Sequence, residues 1–114
     1  MSKGITEEMA VWYTDGKYIY DDNKGSIFIG KSLDKKDERF WISQLYVKDN
    51  YRHQGIGTSL VKRAIKYCKS NDIKEVYLWC TIELITFYLR FGFTCDGEVL
   101  NGYVLMKLTI LKID

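Results

Sequence analysis

The run Arg52-His53-Gln54-Gly55-Ile56-Gly57-Thr58 is the stretch of this chain whose residue types and spacing most clearly point to chemistry. Gly55 and Gly57 carry no Cβ, so the backbone there can bend sharply and approach a ligand closely. An extended run over residues 40–47 precedes it, and an amphipathic pattern over residues 59–70 follows. A glycine turn that opens a helix leaves backbone N–H groups unpaired and aimed at one point, and the helix dipole adds partial positive charge. The natural occupant of such a turn is a phosphate or pyrophosphate.

Three glycine-loop chemistries compete for that role. Nucleotide hydrolysis in a P-loop needs a lysine directly after the last glycine, to reach the terminal phosphates. Here Thr58 follows Gly57. A dinucleotide fingerprint needs a third glycine three residues after the second, and that position is Leu60. What remains is Arg-x-x-Gly-x-Gly, filled by Arg52, Gly55 and Gly57.

The elements around the turn follow from periodicity. Residues 9–13 and 17–20 read as strands with Asp15-Gly16 as a hairpin turn between them, and residues 26–30 read as a further strand. Residues 31–39 mix both charges and read as a solvated loop. Residues 40–47 alternate as a strand. Leu60, Val61, Ala64, Ile65 and Cys68 share one helical face, with Lys62, Arg63, Lys66 and Lys69 largely opposite. Residues 76–80 are apolar on both faces, as expected of a central strand. Thr81 is placed to cap a short helix over residues 82–90, which Gly92 ends. Asn101-Gly102 is a turn before a last strand, 104–111. The expected product is one domain, residues 1–114, of α+β or α/β class.

The turn, together with Leu45-Tyr46-Val47 before it and Phe87-Tyr88-Leu89-Arg90-Phe91-Gly92-Phe93 after it, resembles the GNAT N-acetyltransferase family. The resemblance covers residues 40–93 and extends to the C-terminal strand. It implies a mixed, mainly antiparallel central sheet flanked by helices in an α/β three-layer arrangement, here with reduced N-terminal helices. It implies acetyl-coenzyme A as co-substrate, with no metal. The pyrophosphate would lie on the turn, and pantetheine in a gap between the strands at 40–47 and 76–80. The cofactor-binding residues so implied are Leu45, Tyr46, Val47, Arg52, His53, Gln54, Gly55, Ile56, Gly57 and Thr58. Leu45 to Val47 would act through backbone N–H groups; Arg52 either touches the ligand or supports the turn.

The implied reaction is direct attack of a primary amine on the thioester, with Tyr88 as the catalytic proton donor to the leaving thiolate. The acceptor would be a protein lysine or a small amine. Family members often carry a glutamate on the strand at 40–47, and an asparagine at the place of Thr81. This chain has neither, so a coenzyme A-binding module without turnover, acting through a protein partner, stands as the alternative. His53 is the only histidine, so no metal site is expected around it. Lys62, Arg63, Lys66 and Lys69 could reach the 3′-phosphate of coenzyme A.

Composition narrows the setting. A net charge of +2 is too small to argue for nucleic acid. No apolar run approaches the ~20 residues of a membrane span, and no signal-peptide pattern is present. Cys68, Cys80 and Cys95 have no CxxC pairing, so neither a disulfide framework nor a zinc site is expected, and the cytoplasm is the expected compartment. The aromatics Trp12, Tyr13 and Tyr18 offer an interface, with a homodimer as one form it could take.

Overall fold

Along three neighbouring strands Ile19, Ile27, Ile29 and Ile42 alternate with Tyr18, Phe28 and Trp41, and this period of two sorts one sheet into two faces. A computed structural model describes residues 13–111. The elements are β1 (Tyr13–Asp21), β2 (Gly25–Ser32), β3 (Phe40–Val47), α1 (Ile56–Ser70), β4 (Glu75–Thr81), α2 (Ile85–Leu89), β5 (Thr94–Leu100) and β6 (Tyr103–Thr109). Short 3-10 turns at Asp49–Tyr51 and Ile82–Leu84 precede the two helices. The sheet runs in the order β1-β2-β3-β4-β6-β5, and only β3 and β4 pair in parallel. This is the expected mixed, mainly antiparallel sheet with two helices. Among the described residues no α-helix precedes α1.

Both helices cover the same face. Ile56, Leu60, Val61, Ala64 and Cys68 of α1 join Tyr88 of α2 in one cluster with Val76, Leu78 and Cys80 of β4 and Val104, Met106 and Leu108 of β6. On the opposite face, Trp41 stacks near Trp79 at 6.3 Å and lies 5.7 Å from Tyr77. Central strand β4 is thus buried on the helix side and half-buried on the aromatic side.

Several local expectations need correction. Asp15-Gly16 is not a hairpin turn; β1 runs through it, and the register with β2 shifts between Thr14 and Lys17. A side chain at Gly16 would collide with the Phe28 ring and the Ile29 carbonyl, so glycine serves close approach there. The part of the proposed first strand before Tyr13, with Trp12, lies outside the described residues. Thr81 makes no side-chain cap; the Glu83 carboxyl is held below its ordinary range by a backbone hydrogen bond first and the Thr81 hydroxyl second. The segment before β3 is also more than solvated loop. Asp37 pairs with Arg39 at 2.8 Å and accepts a hydrogen bond from Trp41 Nε1 at 3.0 Å, while the Arg39 guanidinium sits 4.7 Å over the Trp41 ring. Asn101-Gly102 does form a tight hairpin turn, with φ of 51° and 80°, the two positive values a type I′ turn requires.

The three cysteines are free. Burial pushes the Cys68 thiol up to about 11, and the Cys80 thiol likewise, with Cys95 adding to the latter. An unfolded thiol loses its proton near ~8.5. Above that pH the unfolded chain holds fewer protons than the native one, so stability declines as pH rises toward the folded values. Urea midpoints measured from about pH 7.5 to 10.5 are expected to fall, and Cys68→Ala to flatten that fall while lowering the midpoint at neutral pH. An undiminished slope in the variant would contradict this account.

Candidate active site

The site begins where β3 and β4 part. Their register pairs are Phe40 with Val76 and Trp41 with Tyr77, although β3 continues to Val47 and β4 to Thr81. A bulge in β3 accompanies the parting. Phe28 stands opposite Ser43 and Ser26 opposite Tyr46, so Gln44 and Leu45 share the place facing Ile27. Gln44 adopts φ of 62°, a left-handed conformation that a side chain rarely takes. Neither Gln44 nor Leu45 has a registered partner on β2 or β4. Ser43 Oγ, beside the bulge, is buried with no hydrogen-bond partner.

At the open end of the gap stands the glycine turn. His53 and Gly55 take φ of 62° and 81°, which reverses the chain into α1. The helix starts at Ile56, three residues earlier than the periodicity of its core face suggests, so Gly57 and Thr58 lie in its first turn. No side chain caps it. The N–H groups of Ile56, Gly57 and Thr58 therefore have no partner within the helix. A Cβ on Gly57 would stand 3.8 Å from both Val47 and Phe87, which shows that this residue sits between the end of β3 and α2. A Cβ on Gly55 would meet nothing within 4 Å. The protein alone does not require glycine at 57 for space, whereas close approach of a ligand would.

The other turn residues divide by role. Arg52 Nε donates to the Val47 carbonyl at 3.1 Å and its Nη2 pairs with Asp49 at 3.0 Å, so this arginine ties the turn to the end of β3. Gln54 Nε2 donates to the Asn50 carbonyl at 3.4 Å. Ile56 buries its side chain in the core and offers only its backbone N–H. His53 is exposed. Beside the turn, Gly55, Thr58, Ser59, Lys62, Arg63 and Lys66 line one open groove. Arg63 Nη2 donates to the Tyr20 carbonyl at 3.0 Å, which fixes one cation of that groove.

Tyr88, on α2, is buried against Phe87 and Phe93 with ring centroids 5.0 and 5.7 Å away. Burial raises its phenol well above the ordinary value, and the neighbouring Cys80 adds to the rise. Burial thus favours the neutral phenol. Cys80 itself donates to Met106 Sδ at 3.5 Å. Gly92, at φ of 95°, ends this helical segment, its N–H bonded to the Leu89 carbonyl at 3.1 Å. Glu38 precedes β3 at its paired end, six residues before Gln44, or ~20 Å of strand from the bulge. Among the described residues no cluster of three or more His, Cys, Asp or Glu side chains is placed to hold a metal, and no helix is long and apolar enough to cross a membrane.

The bulge at Gln44 was not legible in the sequence, since glutamine carries no preference for positive φ strong enough to mark it. The Arg52 anchor could have been suspected from Asp49 three residues before it.

The parted parallel strands, the bulge and the glycine turn at their mouth are the arrangement that the resemblance to the acetyltransferase family implies. Residues 8–93 match the model of the acetyltransferase (GNAT) family, and the chain belongs to that family. It is 37% identical over 75 residues to an uncharacterised N-acetyltransferase of Methanocaldococcus jannaschii, covering 63% of this chain and 33% of that protein. It is 31% identical over 78 residues to a spermine/spermidine N(1)-acetyltransferase of Bacillus subtilis, covering 64% of this chain and 51% of that one. The chain thus spans about a third to a half of the curated relatives it matches. In fold it is similar to a GNAT family acetyltransferase of Elizabethkingia anophelis whose structure has acetyl-CoA bound, with a TM-score of 0.70 at 20% identity over 91% of this chain and 83% of that one.

Glycine at 55 and at 57 should fail differently when replaced. Gly55→Ala places a Cβ at positive φ and is expected to cost about 1–2 kcal/mol of stability. Gly57→Ala is expected to leave stability unchanged or raise it by up to about 1 kcal/mol, since alanine is the better helix former. The same change should weaken coenzyme A binding about tenfold or more, about 1.4 kcal/mol, by calorimetry. Undiminished binding in Gly57→Ala would remove the turn as the ligand's seat.

Proposed function

We propose that this domain transfers an acetyl group from acetyl-coenzyme A to a primary amine. The carrying observation is the gap between β3 and β4, with the N–H groups that open α1 beside the end of β3. Bound there, acetyl-coenzyme A supplies an acetyl group activated as a thioester. The N–H groups of Ile56, Gly57 and Thr58 would hold the pyrophosphate, with Gly55 giving it room and Arg52, His53 and Gln54 shaping the turn. Lys62, Arg63 and Lys66 supply positive charge on the same side, suited to the 3′-phosphate.

The strand residues Leu45, Tyr46 and Val47 act through backbone. The bulge leaves Leu45 without a registered partner on β2, which suits its N–H to hold a developing oxyanion. Tyr88 donates a hydrogen bond toward the leaving sulfur. Its raised pKa keeps the proton on the phenol until that sulfur carries substantial negative charge. We assign no general base: β3 carries no carboxylate, and a water chain would take the amine's proton. The acceptor is a protein lysine or a small amine; the polyamine named for the Bacillus relative supports including polyamines in the search. We place the reaction in the cytoplasm, within one domain, with a homodimer as a candidate assembly.

Free-thiol release from acetyl-coenzyme A, assayed with spermidine and with lysine-containing peptides, tests the reading. Tyr88→Phe is expected to lower kcat by roughly 10²-fold while leaving the coenzyme A dissociation constant within about twofold. Mass spectrometry of co-expressed proteins should then show lysine acetylation lost in the variant. Coenzyme A binding without thiol release for any acceptor would overturn the enzyme reading.

A further inference from the structure

We infer that Tyr18 is a positioning residue for acyl transfer, acting through Gln44 on the bulge of β3; this rests on the function proposed above. Tyr18 stands on β1 and Gln44 on β3, with β2 between them. The Tyr18 hydroxyl reaches over β2 and donates to Gln44 Oε1 at 2.5 Å. Strands in a sheet lie ~4.8 Å apart, so this bond spans two strand spacings and ties the edge of the sheet to the wall of the gap.

The target of the bond is the strained residue of the site. Gln44 holds φ of 62° although it carries a Cβ, and such a conformation is disfavoured relative to the ordinary region. A strand residue in that conformation persists only where its surroundings hold it. The bulge removes Gln44 and Leu45 from register with β2, and the parting of the strands removes them from β4. The side-chain bond to Tyr18 is therefore a restraint that backbone pairing does not supply. Restraining Gln44 sets the orientation of the next peptide, whose N–H belongs to Leu45, within the segment proposed to hold the oxyanion.

Tyr18 is itself positioned. Its ring lies 4.9 Å from Phe28 and is stacked at 5.8 Å on Tyr20. Tyr18→Phe keeps these ring contacts and removes only the hydroxyl. Because Tyr18 is 41% exposed, water competes for the bond and the effect belongs at the low end for a hydrogen bond.

Four proteins test the inference: the unaltered chain, Tyr18→Phe, Gln44→Gly and the double variant. Tyr18→Phe is expected to lower kcat for thiol release from acetyl-coenzyme A, with spermidine and a lysine peptide as acceptor probes, by roughly 2- to 5-fold. The KM for acetyl-coenzyme A should stay unchanged. Gln44→Gly tolerates the same φ but lacks the acceptor oxygen, so adding Tyr18→Phe to it should cause no further loss. Amide hydrogen exchange over residues 44–46 should rise in Tyr18→Phe and stay level elsewhere in the sheet. An equal loss from Tyr18→Phe in both backgrounds, or a raised KM at unchanged kcat, would overturn the positioning role. If the unaltered chain releases no thiol, the proposed function fails, and exchange over residues 44–46 still decides whether Tyr18 restrains the bulge: unaltered exchange rejects it.

Discussion

Everything at this site depends on two parallel strands that begin as neighbours and then separate. β3 and β4 share register only at Phe40–Val76 and Trp41–Tyr77. Beyond these pairs the edges of both strands turn toward a gap, and backbone groups that a closed sheet would consume are left for another partner. Separation of this kind leaves each half of the sheet to pair its remaining backbone groups within itself. β1, β2 and β3 form one antiparallel set, and β4, β6 and β5 form another, with β4 and β6 paired continuously from Glu75–Thr109 to Thr81–Tyr103.

The helices hold the halves at their separation. α1 follows β3 and contacts β1, β2 and β3, while its buried residues join the same core as β4 and β6. The chain leaving β3 turns at His53 and Gly55 so that the start of α1 lies between Val47 and Phe87, at the mouth of the gap. Arg52 secures that geometry from behind, through the Val47 carbonyl and Asp49. The start of α1 carries positive potential, and the buried Tyr88 phenol on α2 is neutral. Their electrostatics differ for a physical reason: the N–H groups of α1 face the open mouth, whereas burial keeps Tyr88 uncharged.

Local chemistry made parts of the fold legible in advance. Asn101-Gly102 read as a turn because two consecutive positive φ angles suit that pair. β3 read correctly over Phe40–Val47, and the buried face of α1 followed from its period. Asp15-Gly16 misled because the same dipeptide serves a bulge as well as a hairpin, and the choice lies in Phe28 and Ile29 on the neighbouring strand. Thr81 misled in a similar way. Its hydroxyl found the Glu83 carboxylate rather than a free N–H, a choice that the residue type leaves open.

The amino-acid sequence alone determined that a glycine turn links a strand to a helix, because Gly55, Gly57 and the apolar period of α1 are local properties of the chain. It also carried the likeness to the acetyltransferase family, through that turn and the segment from Phe87 to Phe93. Tertiary structure decided where the two strands cease to pair, that Gln44 takes a left-handed conformation, and that Tyr18 reaches it across an intervening strand. Those features depend on residues distant in sequence meeting in one sheet, and their free energy resides in contacts that no local pattern encodes.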